Sequence, residues 1–158
     1  MTETTIASAT LYEGKEFLRL YLERKINLLG CYGVFEKEYT INTGGMVKLG
    51  TGFGPYSDNI LTIRASSMGK VIYINKPLIF YRAHEGSISL VNTDVDAYSS
   101  AQKELLRESV EIFRNLQIPD FDYYLKLLLK WCVWDYYGVA NRSKHVKLSK
   151  LFQDQWII

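Results

Sequence analysis

The chain has 158 residues, of which 47% are apolar and 23% are charged, and its formal charge is +2. These proportions are ordinary for a folded globular protein, and they exclude an intrinsically disordered, collagen-like or highly charged chain. The length suits one domain, or one domain with a short extension. The small positive charge is spread over the chain, so we expect no nucleic-acid partner.

The cysteines and the apolar segments indicate the compartment. The two cysteines, Cys31 and Cys132, lie far apart in apolar stretches, which predicts no disulfide framework and a reducing compartment. The N-terminus lacks a basic segment followed by an apolar run, so it does not read as a secretory signal. The most apolar segment, residues 125–140, contains three charged residues and is shorter than the roughly 20 residues of a spanning helix. We expect a cytoplasmic protein, or one peripheral to the inner face of the membrane.

The first part of the chain predicts a helix, a strand and a glycine-rich loop. Residues 1–11 are polar and small, and we expect them to be frayed. Residues 14–26 place apolar side chains on one helical face and charges on the other. Residues 31–35 are apolar and β-prone, which predicts a strand. Residues 42–56 contain five glycines, which predict a loop whose backbone can approach a ligand closely.

The middle of the chain predicts a helix followed by two strands. Ser57 is a good N-cap, and apolar residues follow it at helical spacing as far as Gly69, which stands where a helix commonly ends. Residues 71–74 are mostly β-branched, and residues 78–82 predict a second strand after a Lys-Pro turn.

The last part of the chain predicts two further helices. A long amphipathic helix opens at Asp94 and ends before Pro119, and a second, residues 121–137, is apolar over a wide arc. The whole pattern is α/β with about three strands, which is few for this length and indicates part of a larger sheet.

The C-terminal segment, residues 144–158, combines basic and apolar residues. Lysines recur at every third position from Lys144 to Lys150, among aliphatic and aromatic side chains. Such a segment can lie on an anionic membrane surface. The alternative is that it packs on the helix predicted over residues 121–137.

Asp58 is the first candidate for chemistry, since Walker, GxSxG, HExxH and paired CxxC motifs are absent from the sequence. Asp58 lies in the first turn of a predicted helix, where free N–H groups and the helix dipole favour an ionised carboxylate. Beside a glycine-rich cleft, that carboxylate could accept a proton from a hydroxyl nucleophile. The alternative is that Asp58 only stabilises the start of the helix.

Four other side chains are candidates for binding. His84 follows the second predicted strand, where an imidazole could bind a divalent metal or a phosphate, or could simply be solvated. Arg82 could contact a phosphate bidentately or pair with a surface carboxylate. Phe53 and Tyr56 lie in the glycine loop and could stack on a sugar.

Three segments in a fixed order resemble those of a known family. They read GFGPYSDNILTIRAS at residues 52–66, GKVIYI at 69–74 and PLIFYRAHEGSIS at 77–89. Their order and spacing resemble the second half of bacterial family-2 glycosyltransferases, over about residues 12–115. The resemblance implies a partial GT-A-like fold, with a small mixed sheet, flanking helices and a helical extension at 116–158.

The family resemblance also implies an activity and assigns residues to it. The activity is inverting transfer of a sugar from a nucleotide diphosphate to an acceptor hydroxyl, and Asp58 matches the general base. Arg82 and His84 match residues near the donor diphosphate, and His84 matches one near the metal. The acceptor-binding residues would be Gly52, Phe53, Gly54 and Tyr56.

The sequence departs from the family pattern in two respects. Most members have two adjacent acids where this chain has Ser57 followed by Asp58. The N-terminal βαβ nucleotide-binding unit and its DxD metal motif are also missing, because Asp94 and Asp96, like Asp120 and Asp122, have that spacing but follow the other motifs. A divalent Mn or Mg ion is therefore expected only in a complete enzyme, and none for this chain alone.

These observations predict the acceptor-side, general-base-bearing part of a nucleotide-sugar-dependent glycosyltransferase, inactive without a nucleotide-binding half. The alternative is a non-catalytic carbohydrate-binding or assembly module derived from the same fold. The partners implied are a nucleotide-sugar donor and a carbohydrate acceptor in the complete enzyme. We also expect self-association, because apolar strands with few neighbours leave edges and faces uncovered.

Overall fold

Two strands and five helices make up the described part of the chain. In the computed structural model, this part is residues 8–26, 33–52, 54–76, 78 and 94–143. The elements are β1 (Ser8–Glu13), α1 (Gly14–Leu22), α2 (Lys37–Asn42), α3 (Ser57–Met68), β2 (Lys70–Asn75), α4 (Val95–Asn115) and α5 (Phe121–Ser143). The molecule is α/β, as the sequence predicts.

The sheet of the described residues pairs β1 with β2 in antiparallel register, from Ser8 opposite Asn75 to Glu13 opposite Lys70. The β-branched run of residues 71–74 therefore forms a strand as predicted. Residues 8–11, which we expected to be frayed, form the first part of β1 because β2 satisfies their backbone hydrogen-bonding groups. The sequence alone could not identify that distant partner.

The two faces of this sheet differ in what covers them. Tyr12, Val71 and Tyr73 point to one side and pack against the hydrophobic core. Leu11 and Ile72, which are direct cross-strand partners, point to the other side and are 60% and 66% exposed. The sheet thus has an apolar face that no described residue covers.

The hydrophobic core lies among α1, α3, α4 and α5. Helices α4 and α5 pack on each other, while α1 packs on α3 and on α5. The largest fully buried side chains include Phe17, Leu18, Ile60, Ile63, Leu105, Phe113, Leu128 and Val139. Side chains on both sides of residue 115 therefore share one core, and α5 is part of it.

The junction of α1 and α3 depends on close backbone contact. The amide of Gly14 donates a hydrogen bond of 2.6 Å to the carbonyl of Gly69. A Cβ at Gly14 would lie 1.9 Å from the Ser66 carbonyl oxygen, so only glycine fits there. Gly69 itself has extended backbone, with φ of −151°, rather than the left-handed conformation typical of a glycine that ends a helix.

Several element boundaries differ from those predicted. Helix α1 ends at Leu22 instead of continuing to residue 26, α5 extends to Ser143, and α2 was not predicted. Residues 33–35 of the strand predicted at 31–35 have no regular structure, and residues 31 and 32 lie outside the described ranges. The predicted strand at 78–82, apart from Leu78, and the C-terminal segment 144–158 lie outside the described residues. Within the described ranges, each helix is too short or too polar to cross a bilayer.

Candidate functional site

The candidate site residues fall into two groups. Gly52, Gly54, Tyr56 and Asp58 lie where the loop between α2 and α3 meets the first turn of α3. The predicted acceptor residue Phe53 and the predicted donor residues, Arg82 and His84, lie outside the described residues, and their roles stay predictions.

Helix α4 holds the glycine loop in place. The Gly50 amide donates a hydrogen bond of 2.7 Å to a Glu104 carboxylate oxygen, and the Thr51 amide donates one of 3.1 Å to the Ser100 hydroxyl. Gly50 has a φ of +63°, and a Cβ there would lie 2.5 Å from the Ala101 amide nitrogen. The close approach that this glycine permits is therefore made to the protein's own helix.

Arg64 of α3 anchors the other end of the loop. One of its guanidinium nitrogens donates to the carbonyls of Gly44 and Gly45 at 3.0 and 3.2 Å. The other forms a salt bridge with Glu108 of α4. The loop is thus fastened to two helices through backbone groups and one half-buried cation.

The acceptor-binding glycines differ in accessibility. Gly52 is exposed, and a Cβ there would only touch the Ala97 methyl group, at 3.3 Å. Gly54 is buried, with the Lys48 side chain 2.7 Å from where its Cβ would lie. Of these two positions, only the backbone of Gly52 faces solvent and is available to a ligand.

Tyr56 occupies an unusual position at the start of α3. It is the N-cap residue, with left-handed backbone at φ of 69°, whereas Ser57, the predicted N-cap, donates its hydroxyl to the Gly54 carbonyl at 2.8 Å. The Tyr56 ring is only 8% exposed and makes edge contacts with Tyr98 and Trp131. Its side chain packs between helices, and its contact with an acceptor stays a prediction.

The Tyr56 hydroxyl is held by two polar partners. It donates to the carboxylate of Asp135 on α5 and accepts a hydrogen bond of 3.0 Å from the Gln102 amide on α4. Burial, and then the nearby Asp135 charge, raise the pKa of Tyr56 well above its usual value. The phenol is therefore neutral and acts as a fixed hydrogen-bond donor.

Asp58 lies in the first turn of α3 and is half-buried. Within the described part of the chain, its carboxylate has no hydrogen-bond or salt-bridge partner. The neighbouring Asn59 amide donates to the Tyr21 hydroxyl at 2.7 Å. Burial raises the pKa of Tyr21, and the charge of Asp58 adds to that increase. The carboxylate oxygens of Asp58 can accept a proton from a ligand.

Sequence reasoning did not single out Gln102 and Asp135, which hold Tyr56. One signal was present for Asp135, because it is the only acid between Tyr123 and Ser143, in an otherwise apolar and basic segment. An acid in such a segment commonly has a specific partner, since a buried unpaired charge is costly.

No group of three or more metal-ligating side chains occurs in the ranges that the structure describes, and His84 lies outside them. Comparison of the chain with protein-family models, with curated proteins and with solved structures finds no match.

Proposed function

We propose that this chain is the acceptor-side part of an inverting, nucleotide-sugar-dependent glycosyltransferase, with Asp58 as its general base. The observation that carries the proposal is the setting of Asp58: a half-buried carboxylate in the first turn of α3, six residues after the exposed Gly52, with no partner among the described residues. The resemblance of residues 52–89 to bacterial family-2 glycosyltransferases supplies the reaction class.

The chemistry needs one proton acceptor on the acceptor side. The acceptor oxygen forms a bond to the anomeric carbon as the bond to the diphosphate breaks, and the diphosphate leaves with the electron pair. Asp58 takes the proton of the attacking hydroxyl, which raises the nucleophilicity of the oxygen. Asp58 lies in the first turn of α3, at the positive end of the helix dipole.

The surroundings of Asp58 also suit a binding site that must stay rigid. Arg64, Glu104 and Ser100 fasten the glycine loop, while Gln102 and Asp135 fasten the side chain of Tyr56. A base held within a few tenths of an ångström on a rigid element positions a hydroxyl better than one on a loose loop.

The first test is carbohydrate binding by the chain itself. We expect the labelled chain to bind a defined subset of oligosaccharides on an array of bacterial surface glycans. We also expect no hydrolysis of, and no transfer from, UDP- or GDP-sugars, because the sequence contains no DxD nucleotide-binding half. Turnover by the chain alone that Asp58→Asn abolishes would refute the expected inactivity, and no binding to any glycan would count against the whole proposal.

The second test supplies a donor half. A βαβ nucleotide-binding half with a DxD motif, from a family-2 glycosyltransferase, is fused ahead of this chain. We expect transfer to the bound glycan, lowered by about 100-fold or more by Asp58→Asn. The matched control is Asp96→Asn, since Asp96 occupies the same helical position in α4 and is exposed. Equal activities of the two variants would favour the alternative, a non-catalytic carbohydrate-binding module.

A further inference from the structure

One side of α5 exposes two lysines and two aromatic rings. Lys126, Lys130, Trp134 and Tyr137 recur at spacings of four, four and three residues, which places them on the same side of the helix. Trp134 is 59% exposed and Tyr137 is 48% exposed. These four residues, called here the lysine–aromatic face, extend over about 17 Å along the helix axis.

The opposite side of α5 is firmly packed. Leu128, Cys132 and Val139 are buried in the core, and the backbone carbonyl of Cys132 accepts a hydrogen bond from Gln102. The aromatic rings of the lysine–aromatic face are therefore exposed on an anchored helix and not on a loose end. Large exposed rings grouped in this way commonly mark an interaction surface.

The face is basic, and one exposed acid, Asp122, lies a turn ahead of Lys126 at its N-terminal end. Asp135, the only acid between Tyr123 and Ser143, is turned toward the core, where it accepts from Tyr56. Within the described ranges, neither Lys126 nor Lys130 forms a salt bridge. Both side chains are exposed, so their charges are free to act on a partner.

The charge of the chain is concentrated in this region. Residues 126–150 contain six basic side chains and one acid, a net charge of +5, whereas the whole chain carries +2. The rest of the molecule is therefore net acidic. An anionic partner would be attracted to this part of the chain and repelled by the rest.

We propose that the lysine–aromatic face binds the surface of an anionic lipid membrane. Tryptophan and tyrosine favour the headgroup region, where the ring contacts acyl chains and the N–H or O–H group stays hydrated. Lysines on the same side contact lipid phosphates, while their aliphatic stems lie along the apolar boundary. The helix lies in the plane of the interface and does not cross it.

The observations favour lipid over other partners. A net charge of +2 is low for a protein that binds nucleic acid. The combination of exposed Trp134 and Tyr137 with flanking lysines matches an interfacial helix in both its polar and its apolar part. This surface is independent of the sugar-transfer site, which lies at the start of α3.

The test is co-sedimentation of the full chain with phosphatidylcholine vesicles, with and without phosphatidylglycerol. We expect binding only to the anionic vesicles, and weaker binding at high salt. Lys126→Glu with Lys130→Glu should lower binding by about tenfold or more, because each cation near the surface adds to the attraction. Lys126→Arg with Lys130→Arg should retain binding, which shows that charge is required and that the helix tolerates substitution.

A matched charge reversal on another helix distinguishes the effect of the lysine–aromatic face on binding from the effect of net charge. Lys103 and Arg107 are exposed on α4 at the same four-residue spacing, so Lys103→Glu with Arg107→Glu changes the net charge equally. We expect this control to retain most of the binding. Equal losses in the two double variants would overturn the proposal, since net charge alone would then explain binding.

The contact of the aromatic part of the face with lipid can be measured by tryptophan fluorescence. In a variant with Trp131→Phe and Trp156→Phe, Trp134 is the only tryptophan, and its emission should shift to the blue on anionic vesicles and be quenched by brominated lipids. Unchanged emission with bound vesicles would overturn the proposal. So would a loss of binding confined to Lys147→Glu with Lys150→Glu, which would assign it to the C-terminal segment.

A second copy of the chain is the remaining occupant to exclude. Trp134→Ala with Tyr137→Ala should weaken vesicle binding about tenfold, in proportion to the apolar area lost from the interface, and should leave the sedimentation coefficient in solution unchanged. If this variant instead dissociates an oligomer and the intact chain does not bind vesicles, the face is a protein–protein interface and the proposal fails.

Discussion

The Tyr56 hydroxyl donates a hydrogen bond to the Asp135 carboxylate and so joins the entrance of α3 to the middle of α5, 79 residues away in the chain. Gln102 of α4 donates to the same hydroxyl. Three helices therefore meet at one phenol, two residues before the residue proposed as the general base. The backbone of Tyr56 is left-handed, which is uncommon for a residue with a large side chain and persists only where the surroundings hold it.

Removing the Tyr56 hydroxyl should destabilise the fold. Tyr56→Phe keeps the ring but leaves the half-buried Asp135 carboxylate without this donor, and we expect a loss of about 1–3 kcal/mol in the free energy of unfolding. Urea unfolding followed by circular dichroism measures it. The control is Tyr12→Phe, whose hydroxyl has no partner among the described residues and whose removal should cost less than about 0.5 kcal/mol. Equal effects of the two changes would contradict the prediction.

Substitutions at two glycines of the loop measure the energetic cost of steric contact separately from the cost of backbone strain. Gly45 and Gly50 have nearly the same φ, +62° and +63°, but a Cβ has open space at Gly45 and meets the α4 backbone at Gly50. Gly45→Ala should therefore cost about 1–2 kcal/mol for the left-handed conformation alone. Gly50→Ala should cost about 1–3 kcal/mol more, because α4 must shift. Thermal or urea unfolding compares them, and similar losses would show that α4 does not press on the loop.

Glu23 should make the stability of the protein depend on pH in the acid range. Hydrogen bonds from Lys25 and Tyr123, and then from Arg19, lower the pKa of Glu23 to about 2 from its ordinary 4.5. A carboxyl whose pKa is lowered by folding stabilises the native state above the ordinary pKa. That stabilisation is lost as the pH falls from about 4.5 to about 2.

The variant Glu23→Gln measures this contribution. At pH 7 we expect it to lower the free energy of unfolding by about 1 kcal/mol, a modest value because Arg19 and Lys25 are exposed to solvent. The difference from the unsubstituted chain should vanish near pH 2. Glu111→Gln, on the exposed side of α4, serves as the control and should show little change with pH. A difference that persists at low pH would rule out the ionised carboxylate as its source.

The exposed side of the sheet should promote self-association. Leu11 and Ile72 form a cross-strand apolar pair on a face that no described residue covers, and each strand has one edge that no described strand pairs with. We expect sedimentation velocity to show oligomers that increase with concentration. Leu11→Thr with Ile72→Thr places a β-branched residue that suits a strand at both positions while removing the apolar surface. This double variant should shift the population to monomer.

A control for self-association uses apolar residues outside the sheet. Val34 and Met46 are also exposed, in irregular segments, and Val34→Thr with Met46→Thr removes comparable apolar surface. This variant should associate like the unsubstituted chain. A monomer at every concentration, or equal effects of the two double variants, would show that the sheet face is not the contact.

Local signals in the sequence were sufficient for several elements. Asp94 opens α4 as predicted, and its carboxylate accepts from the Ala97 amide at 3.0 Å, an interaction within one helical turn. The β-branched run at 71–74 forms β2. The placement of apolar residues on one helical face and charges on the other predicts most of α1. These features depend on neighbours within a few residues, so the sequence pattern contains the necessary information.

Other features needed distant contacts and were not predictable. Strand β1 includes residues 8–11 only because β2 pairs with them, and the glycine loop is held by Glu104 and Arg64 from two different helices. Tyr56 looked available for stacking because loop aromatics usually lie at the surface. Its burial follows from contacts with Trp131 and Asp135, more than 70 residues away.

By itself, the sequence determined the α/β class, the amphipathic helices, the position of β2 and the place of Asp58 in the first turn of a helix, because periodicity and capping act over one or two turns. Only the tertiary structure decided that α5 completes the core, that Tyr56 joins three helices, and that Leu11 faces solvent beside Ile72. Those outcomes depend on which surfaces meet after the chain folds, and the free energy of such contacts is a property of packing and not of any local segment.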